Sequence, residues 1–407
     1  DIIAKLGLRR PFRVRASFNR PNLFYRVLPK IDPNRQLFEF VRKRRGEQGI
    51  IYRTTRKSVE STAAMLNRNG IKALSYHAGL EDRVRSDHQE AFNRDEIEVI
   101  VATIAFGMGI DKSNVRYVAH ADLPKNIEGY YQETGRAGRD GDPAHCLLLF
   151  GYGDIPKITY FFGEITDETV RRHARRCLDE MVRYGSAHIC RRKQLLAYFS
   201  EDYSQENCGM CDVCAGEVEE ADATIEAQML MSAIVRTGSR FGIRHIIDVV
   251  TGAETRKIRQ CGHHQLKTYG VGQDKSKRHF HSVLSTLLAQ GLVRQSGDRY
   301  PVLQLGERAD AVLTGKKQIR IIKPIEKVSQ SKTNAGAAAP CNLPLFEDLR
   351  ALRKQIAKQQ GVPPFVVFSD RTLREMSARM PGNPQELLAV SGIGEHKLKK
   401  YGEAFVS

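Results

Sequence analysis

The sequence predicts a multidomain chain of mixed α/β and α class, in which one lobe built on a parallel sheet is followed by smaller helical modules. Three observations predict it. Between residues 49 and 150, short apolar runs alternate with helix-length polar-faced stretches. After Phe150 the runs stop, and Arg-rich helical spacing continues into a cluster of cysteines at 208, 211 and 214. Between 275 and 303, one amphipathic helical stripe leads into a hairpin pattern. At 407 residues the chain is too long for one compact core.

In chain order, Gly49-Ile50-Ile51-Tyr52, Ala73-Leu74-Ser75-Tyr76, Val99-Ile100-Val101-Ala102, Val115-Arg116-Tyr117-Val118 and Cys146-Leu147-Leu148-Leu149-Phe150 read as buried strands. Helices are expected from the first strand to near Gly70 and over 81–93. Such alternation implies a parallel sheet covered on both faces, with ligands gathering at the carboxyl ends of its strands. Residues 154–200 read as helical. The acidic patch Glu217-Val218-Glu219-Glu220 reads as a boundary, and 224–315 as several helices followed by a hairpin. Phe280, Val283, Leu284, Leu287 and Leu288 form one apolar stripe, with Lys275, Lys277, Arg278 and His279 opposite. Leu292–Gln295, a turn at Ser296-Gly297-Asp298 and Arg299–Leu303 complete the helix-plus-hairpin pattern of a winged helix. The stretch 326–342 is Ser/Ala/Asn-rich and aperiodic, as a linker is. Helical spacing returns in the last 65 residues, with Phe346, Leu349, Leu352 and Ile356 on one face.

The formal charge of +17 favours a polyanionic partner, because each cation placed on a phosphate releases counterions. A merely solvated basic surface is the plain alternative. No apolar run reaches the length that spans a bilayer. The start, Asp1-Ile2-Ile3-Ala4-Lys5, has no signal-peptide pattern and no initiator methionine, so the chain is expected to have been cut from a longer one. The cysteines at 190, 208, 211 and 214 give C-x17-C-x2-C-x2-C, four thiolates suited to a closed tetrahedral zinc site. An iron–sulfur cluster is the rival, although the ferredoxin run would continue with a further C-x3-C-P. Cys146, Cys177, Cys261 and Cys341 read as ordinary buried or linker residues.

The most informative string is Gln132-Glu133-Thr134-Gly135-Arg136-Ala137-Gly138-Arg139-Asp140-Gly141. Two arginines three apart on a helix share a face, and a guanidinium fork delivered there neutralises charge on a transferring phosphoryl group. The string resembles motif VI of superfamily 2 helicases, in the form typical of the RecQ family. Val101 to Lys112 is similar to RecQ motif V, Gly49 to Arg56 to motif IV, and Tyr76-His77-Ala78-Gly79-Leu80 to the family's YHAGL. Arg53-Thr54-Thr55 stands where many relatives carry Cys-Asn-Ser. The cysteine pattern resembles the RecQ zinc-binding subdomain, and Arg256-Lys257-Ile258-Arg259 with Tyr269-Gly270-Val271-Gly272 resembles its winged helix. Pro363 to Phe368 and Gly392-Ile393-Gly394-Glu395-His396-Lys397 resemble an HRDC domain.

The resemblance implies an ATP-dependent 3′–5′ helicase that unwinds duplex DNA in recombination, repair and replication, including the SOS response. It implies a RecA-like second lobe over 17–153, preceded by the tail (1–16) of a missing first lobe. A helical zinc-binding subdomain (154–216), a winged helix (217–322), a linker (323–342) and an HRDC domain (343–407) follow. Arg139 becomes the arginine finger and Arg136 its catalytic companion. Gln132, Gly107, Gly109 and Asp111 become the nucleotide-facing set. One structural Zn²⁺ falls to Cys190, Cys208, Cys211 and Cys214. DNA contacts fall to His77, Lys275, Lys277, Arg278, Tyr300 and Lys397. Implied partners are single-stranded, forked or partly duplex DNA, with a single-stranded-DNA-binding protein as a candidate and no membrane, in a cytoplasmic, nucleoid-associated setting. No Walker A or Walker B string is present, so ATP and Mg²⁺ require the missing lobe and the chain alone is expected to be inactive. A non-catalytic DNA-binding fragment and an RNA helicase are the alternatives.

Overall fold

The computed structural model describes residues 16–104, 106, 111–186, 189–296, 302–324 and 342–406, together with Lys5, Gly7 and Phe12; at Arg278, Ala289 and 322–324 it describes the backbone alone. The first part is a six-stranded, wholly parallel sheet. Its elements are β1 (Leu23–Pro29), α1 (Pro33–Arg42), β2 (Gln48–Tyr52), α2 (Arg56–Arg68), β3 (Ala73–Tyr76), α3 (Asp82–Asn93), β4 (Val99–Ala102), β5 (Val115–His120), α4 (Ile127–Thr134) and β6 (Ala144–Phe150). The spatial order is β1-β6-β5-β2-β4-β3. The expected strands are present, and β1 adds an edge strand that the apolar runs did not announce.

Strand geometry sends alternate side chains to opposite faces. Ile50, Tyr52, Ile100, Ala102, Cys146 and Leu148 therefore pack on one side, together with the helices and cysteines of the next segment. Ile51, Val99, Val101, Leu147 and Leu149 pack on the other, under α1 and α2. Both faces are dry, which is why these strands read as unbroken apolar runs.

Three helices follow, α5 (Ile155–Phe162), α6 (Glu168–Ser186) and α7 (Arg191–Tyr198), and then the cysteine cluster. This segment is fastened to the sheet edge. Tyr25 donates to Met210 O at 3.1 Å, Asp212 donates to Tyr25 O at 2.9 Å, and Val27 donates to the Asp212 carboxylate at 2.9 Å. Arg191, fully buried, pairs with Asp212 at 2.9 Å, and Arg192 donates to Arg20 O and Leu23 O. Desolvation of the Arg191 guanidinium is offset by that carboxylate, without which the charge could not be buried.

The acidic patch is a strand. β7 (Val218–Asp222) pairs antiparallel with β10 (Arg320–Pro324), so the segment closes the next domain at its own end. Between them lie α8 (Thr224–Arg236), α9 (Ile243–Val250), α10 (Arg256–Gln260), α11 (Lys277–Ala289), the hairpin β8 (Val293–Ser296) and β9 (Val302–Leu305), and α12 (Asp310–Leu313). Phe280, Val283, Leu284 and Leu287 are buried against α8 and α9. Ser296 pairs with Val302 as part of the ladder, so the turn begins after it rather than at it. The rest of the turn lies outside the described residues, as does nearly all of the expected linker.

The last domain comprises α13 (Leu343–Gln360), α14 (Pro364–Val367), α15 (Asp370–Arg379), α16 (Pro384–Leu388) and α17 (Glu395–Val406), packed around Phe346, Leu349, Phe368, Leu373 and Phe405. It rests against the parallel-sheet lobe: Arg350 donates to Gly46 O at 2.8 Å and Lys354 to Asp95 O at 3.0 Å. Among the described residues no helix is long and apolar enough to cross a membrane.

Candidate nucleotide edge, metal centre and nucleic-acid interface

The arginine-bearing string leaves its helix earlier than its spacing suggests. α4 is capped by Asn126, which accepts from Gly129 N at 2.8 Å, and it ends at Thr134. Arg136 and Arg139 therefore lie in the turns beyond it, not on one helix. The cause is backbone competition. Arg20 donates to the carbonyls of Gly135, Ala137 and Gly138, and Asn22 donates to Gly138 O and Asp142 O at 2.8 Å. Gly138 has φ +57° and donates to Val115 O at 2.8 Å. A Cβ there would lie 2.4 Å from the Asn22 amide, so only glycine fits the turn.

This pinned loop presents Arg139 outward. Its side chain is 34% exposed and donates from Nη1 to Asp111 Oδ1 at 2.8 Å; the Asp111 side chain is 96% exposed. Gln132 is exposed on α4, and Arg136 is half-buried. Arg136 and Arg139 both lie in electrostatic reach of Tyr52, the last residue of β2, whose phenol is raised by burial and lowered by those two cations. Tyr52 donates to Phe106 O at 2.9 Å and stacks on His120, whose Nε2 meets Glu133 Oε2 at 2.7 Å. The two arginines and Asp111 thus gather beside the carboxyl ends of the strands, where open parallel sheets hold ligands. Gly107 and Gly109, the other members of the nucleotide-facing set, lie outside the described residues.

The four cysteine sulfurs lie within 4.8 Å of one another. Backbone N–H groups of Cys208, Met210 and Cys214 point at the sulfurs of Cys214, Cys208 and Cys211, each at 3.4 Å. Thiolates crowded this closely repel unless a cation sits among them, and N–H···S bonds orient such ligands. The donor set fits a tetrahedral thiolate-bound metal. Cysteine spacing picked out the four sulfurs that cluster but gave no sign of Arg191, Arg192 and Asp212, which anchor the cluster to β1.

The expected DNA contacts scatter. The His77 ring is buried, facing Glu60 at 3.1 Å and accepting from Gly79 N at 3.2 Å. It shapes its loop, and it is Ala78 and Gly79 that the loop exposes. Lys277 pairs with Asp248, whereas Lys275, paired with Asp274, lines a cleft of about 680 Å³ between the start of α11 and the parallel-sheet lobe. The stripe's polar side therefore faces that lobe at its N-terminal end. Lys397 lies over the Phe368 ring at 5.6 Å, and partial burial lowers its pKa. Lys399 and Lys400 stay exposed. The Arg278 side chain and all of Tyr300 lie outside the described residues.

Family comparisons divide the chain in the same order. Residues 31–141 match the helicase conserved C-terminal domain, 152–215 the RecQ zinc-binding family, 217–330 the RQC domain and 342–407 the HRDC domain. Proteins named ATP-dependent DNA helicase RecQ are similar over the whole chain. That of Haemophilus influenzae is 40% identical, with 66% of its length covered; that of Pasteurella multocida is 41% identical, with 65% covered; that of Bacillus subtilis is 39% identical, with 67% covered. The chain thus spans about two thirds of the length of these relatives.

Proposed function

This chain belongs to the RecQ family of DNA helicases, and on that premise we propose that it is the part of an ATP-dependent 3′–5′ DNA helicase that completes the nucleotide site and handles the DNA. The observation that carries the reading is Arg139, exposed at the lobe edge and held on a solvent-facing carboxylate that phosphate can replace. A lobe bearing a P-loop would hold ATP and Mg²⁺, and Arg139 would meet the γ-phosphoryl group as charge develops on it. Arg136 and Gln132 would line the same edge, and Asp111 would couple it to the DNA-gripping loop.

One structural zinc would sit among Cys190, Cys208, Cys211 and Cys214, fastening α6 and α7 to β1. Forked and single-stranded DNA would run along the parallel-sheet lobe and the winged helix, with Lys275, Lys277 and Lys397 near phosphates. A single-stranded-DNA-binding protein is a candidate partner, and the nucleoid the place of action. The domain boundaries that we assign are 17–153, 154–216, 217–322, 323–342 and 343–407.

The deciding assay is ATP turnover in the presence of single-stranded DNA, by this chain with and without an added P-loop lobe. Turnover is expected only with the lobe. Turnover by the chain alone, or DNA-independent turnover by the pair, would count against the reading.

A further inference from the structure

The last domain touches the parallel-sheet lobe at the two segments that carry Asp111 and Arg139. Lys112, the residue after Asp111, is 1% exposed and pairs with Asp95. Asp95 has a left-handed backbone, φ +56°, tolerable for aspartate because its short carboxylate can bond locally. Its carboxylate also faces Arg353 of α13 at 4.0 Å, and its carbonyl accepts from Lys354 at 3.0 Å. Lys112 Nζ lies 5.7 Å from the Phe365 ring.

The second segment repeats the arrangement. Asp140, the residue after Arg139, pairs with buried Arg116. Arg116 also faces Asp142 at 3.6 Å, and Arg374 of α15 donates to the same Asp142 carboxylate at 2.9 Å. Asp370 of α15 pairs with Arg353 at 2.7 Å, and Arg353 and Arg116 hold its carboxyl below the usual range against its burial. Lys112, Arg116, Arg353 and Arg374 are thus matched by Asp95, Asp140, Asp142 and Asp370. Without the last domain, the lobe's share is left one carboxylate in excess. Burial of such groups is tolerable only while the set is complete.

We propose that the C-terminal helical domain is a brake on the arginine finger, with Lys112, Arg116, Asp142, Arg353 and Arg374 as positioning residues that keep Arg139 on Asp111. The inference rests on reading Arg139 as the phosphate-facing guanidinium. Both members of the Arg139–Asp111 pair are next in sequence to a residue locked in the network. Any backbone movement at 139 or 111 that turns the finger toward a phosphate also displaces Asp140 or Lys112, and docking opposes that displacement. Undocking, by salt or by DNA competing for the basic face of the last domain, frees it.

Two readouts test this. On this chain without nucleotide, hydrogen exchange at 111–116 and 139–142 is compared between wild type and Arg374→Glu/Lys354→Glu. Both side chains lie at the interface rather than in the domain's apolar core. Exchange in those lobe segments is expected to rise by about tenfold or more in the variant, and in wild type at high salt. Unchanged exchange overturns the docking. With a P-loop lobe supplied, ATP turnover of the variant is expected to rise about fivefold, a typical coupling, with KM for ATP within about twofold. Arg374→Lys is expected to retain the brake. Unchanged or reduced turnover, with exchange showing release, overturns the positioning role. Absence of turnover in the wild-type pair sinks the helicase reading and the brake together, while the exchange data still decide the docking.

Discussion

Arg139 and Cys211 show how much a single residue can state in advance. A guanidinium in a Gly-Arg-Ala-Gly-Arg-Asp-Gly string, by its family resemblance, and a sulfur in a C-x2-C-x2-C run, by its spacing, each carry an expected chemistry. Their partners do not. Asp111 lies 28 positions from Arg139, and Tyr25, which forms a bridge with Cys211, lies far upstream. Arg191 and Asp212, both buried, convert the thiol cluster into a fastening for the sheet edge. Cys211→Ser is therefore expected to abolish stoichiometric zinc and also to loosen β1. Metal analysis reads the first effect, and hydrogen exchange at Tyr25 and Val27 reads the second. Iron with acid-labile sulfide in the wild-type protein would refute the zinc assignment.

At the scale of elements, periodicity was a good guide wherever burial was uniform. Four strands dry on both faces, the half-buried edge strand β3 and the α11 stripe fell where apolar spacing put them. It erred where tertiary groups compete for the backbone. The spacing of Gln132, Arg136 and Arg139 continues a helix, yet Arg20 and Asn22 take the carbonyls that a further turn would use. β1 was missed because its ladder partner, β6, lies more than a hundred residues away. The acidic patch stands where the RQC match begins at 217, as a boundary would, but its being a strand is hidden because its acidic side chains face solvent while its backbone pairs with β10. The winged helix also carries a titration device. His245 Nε2 meets His263 Nδ1 at 2.8 Å under the Phe241 ring, with Lys257 and Asp248 nearby. Desolvation first, then His263 and Lys257, push His245 down to about 4, and Asp248 opposes them. The unfolded chain takes up that proton near the ordinary histidine value of about 6.5. Between those values the unfolded state binds more protons, so stability is full above about 6.5 and is lost as pH falls toward 4. Protection of the α9 amides, corrected for the slower intrinsic exchange in acid, is expected to fall on going from pH 7 to 5, and His245→Phe to suppress that fall. An equal response in the variant would place the effect elsewhere.

For the whole molecule, the order of domains was legible from motifs, but their contacts were not. A Ser/Ala-rich stretch reads as a tether, and nothing in it foretells that Arg353 and Arg374 share carboxylates with Lys112 and Arg116. Nor does a basic helix show which side faces its own neighbour, as Lys275, just before α11, does at the cleft beside the parallel-sheet lobe. On the proposed function, activity at this scale depends on one lobe carrying an exposed guanidinium to a nucleotide bound by another. The most direct measurement joins ATP turnover with nucleotide affinity for Arg139→Ala, with a P-loop lobe and single-stranded DNA present. Turnover is expected to fall by about a thousandfold or more, while the dissociation constant for ATP changes by no more than about threefold. Turnover near wild type, or a loss of affinity as large as the loss of rate, would contradict the assignment.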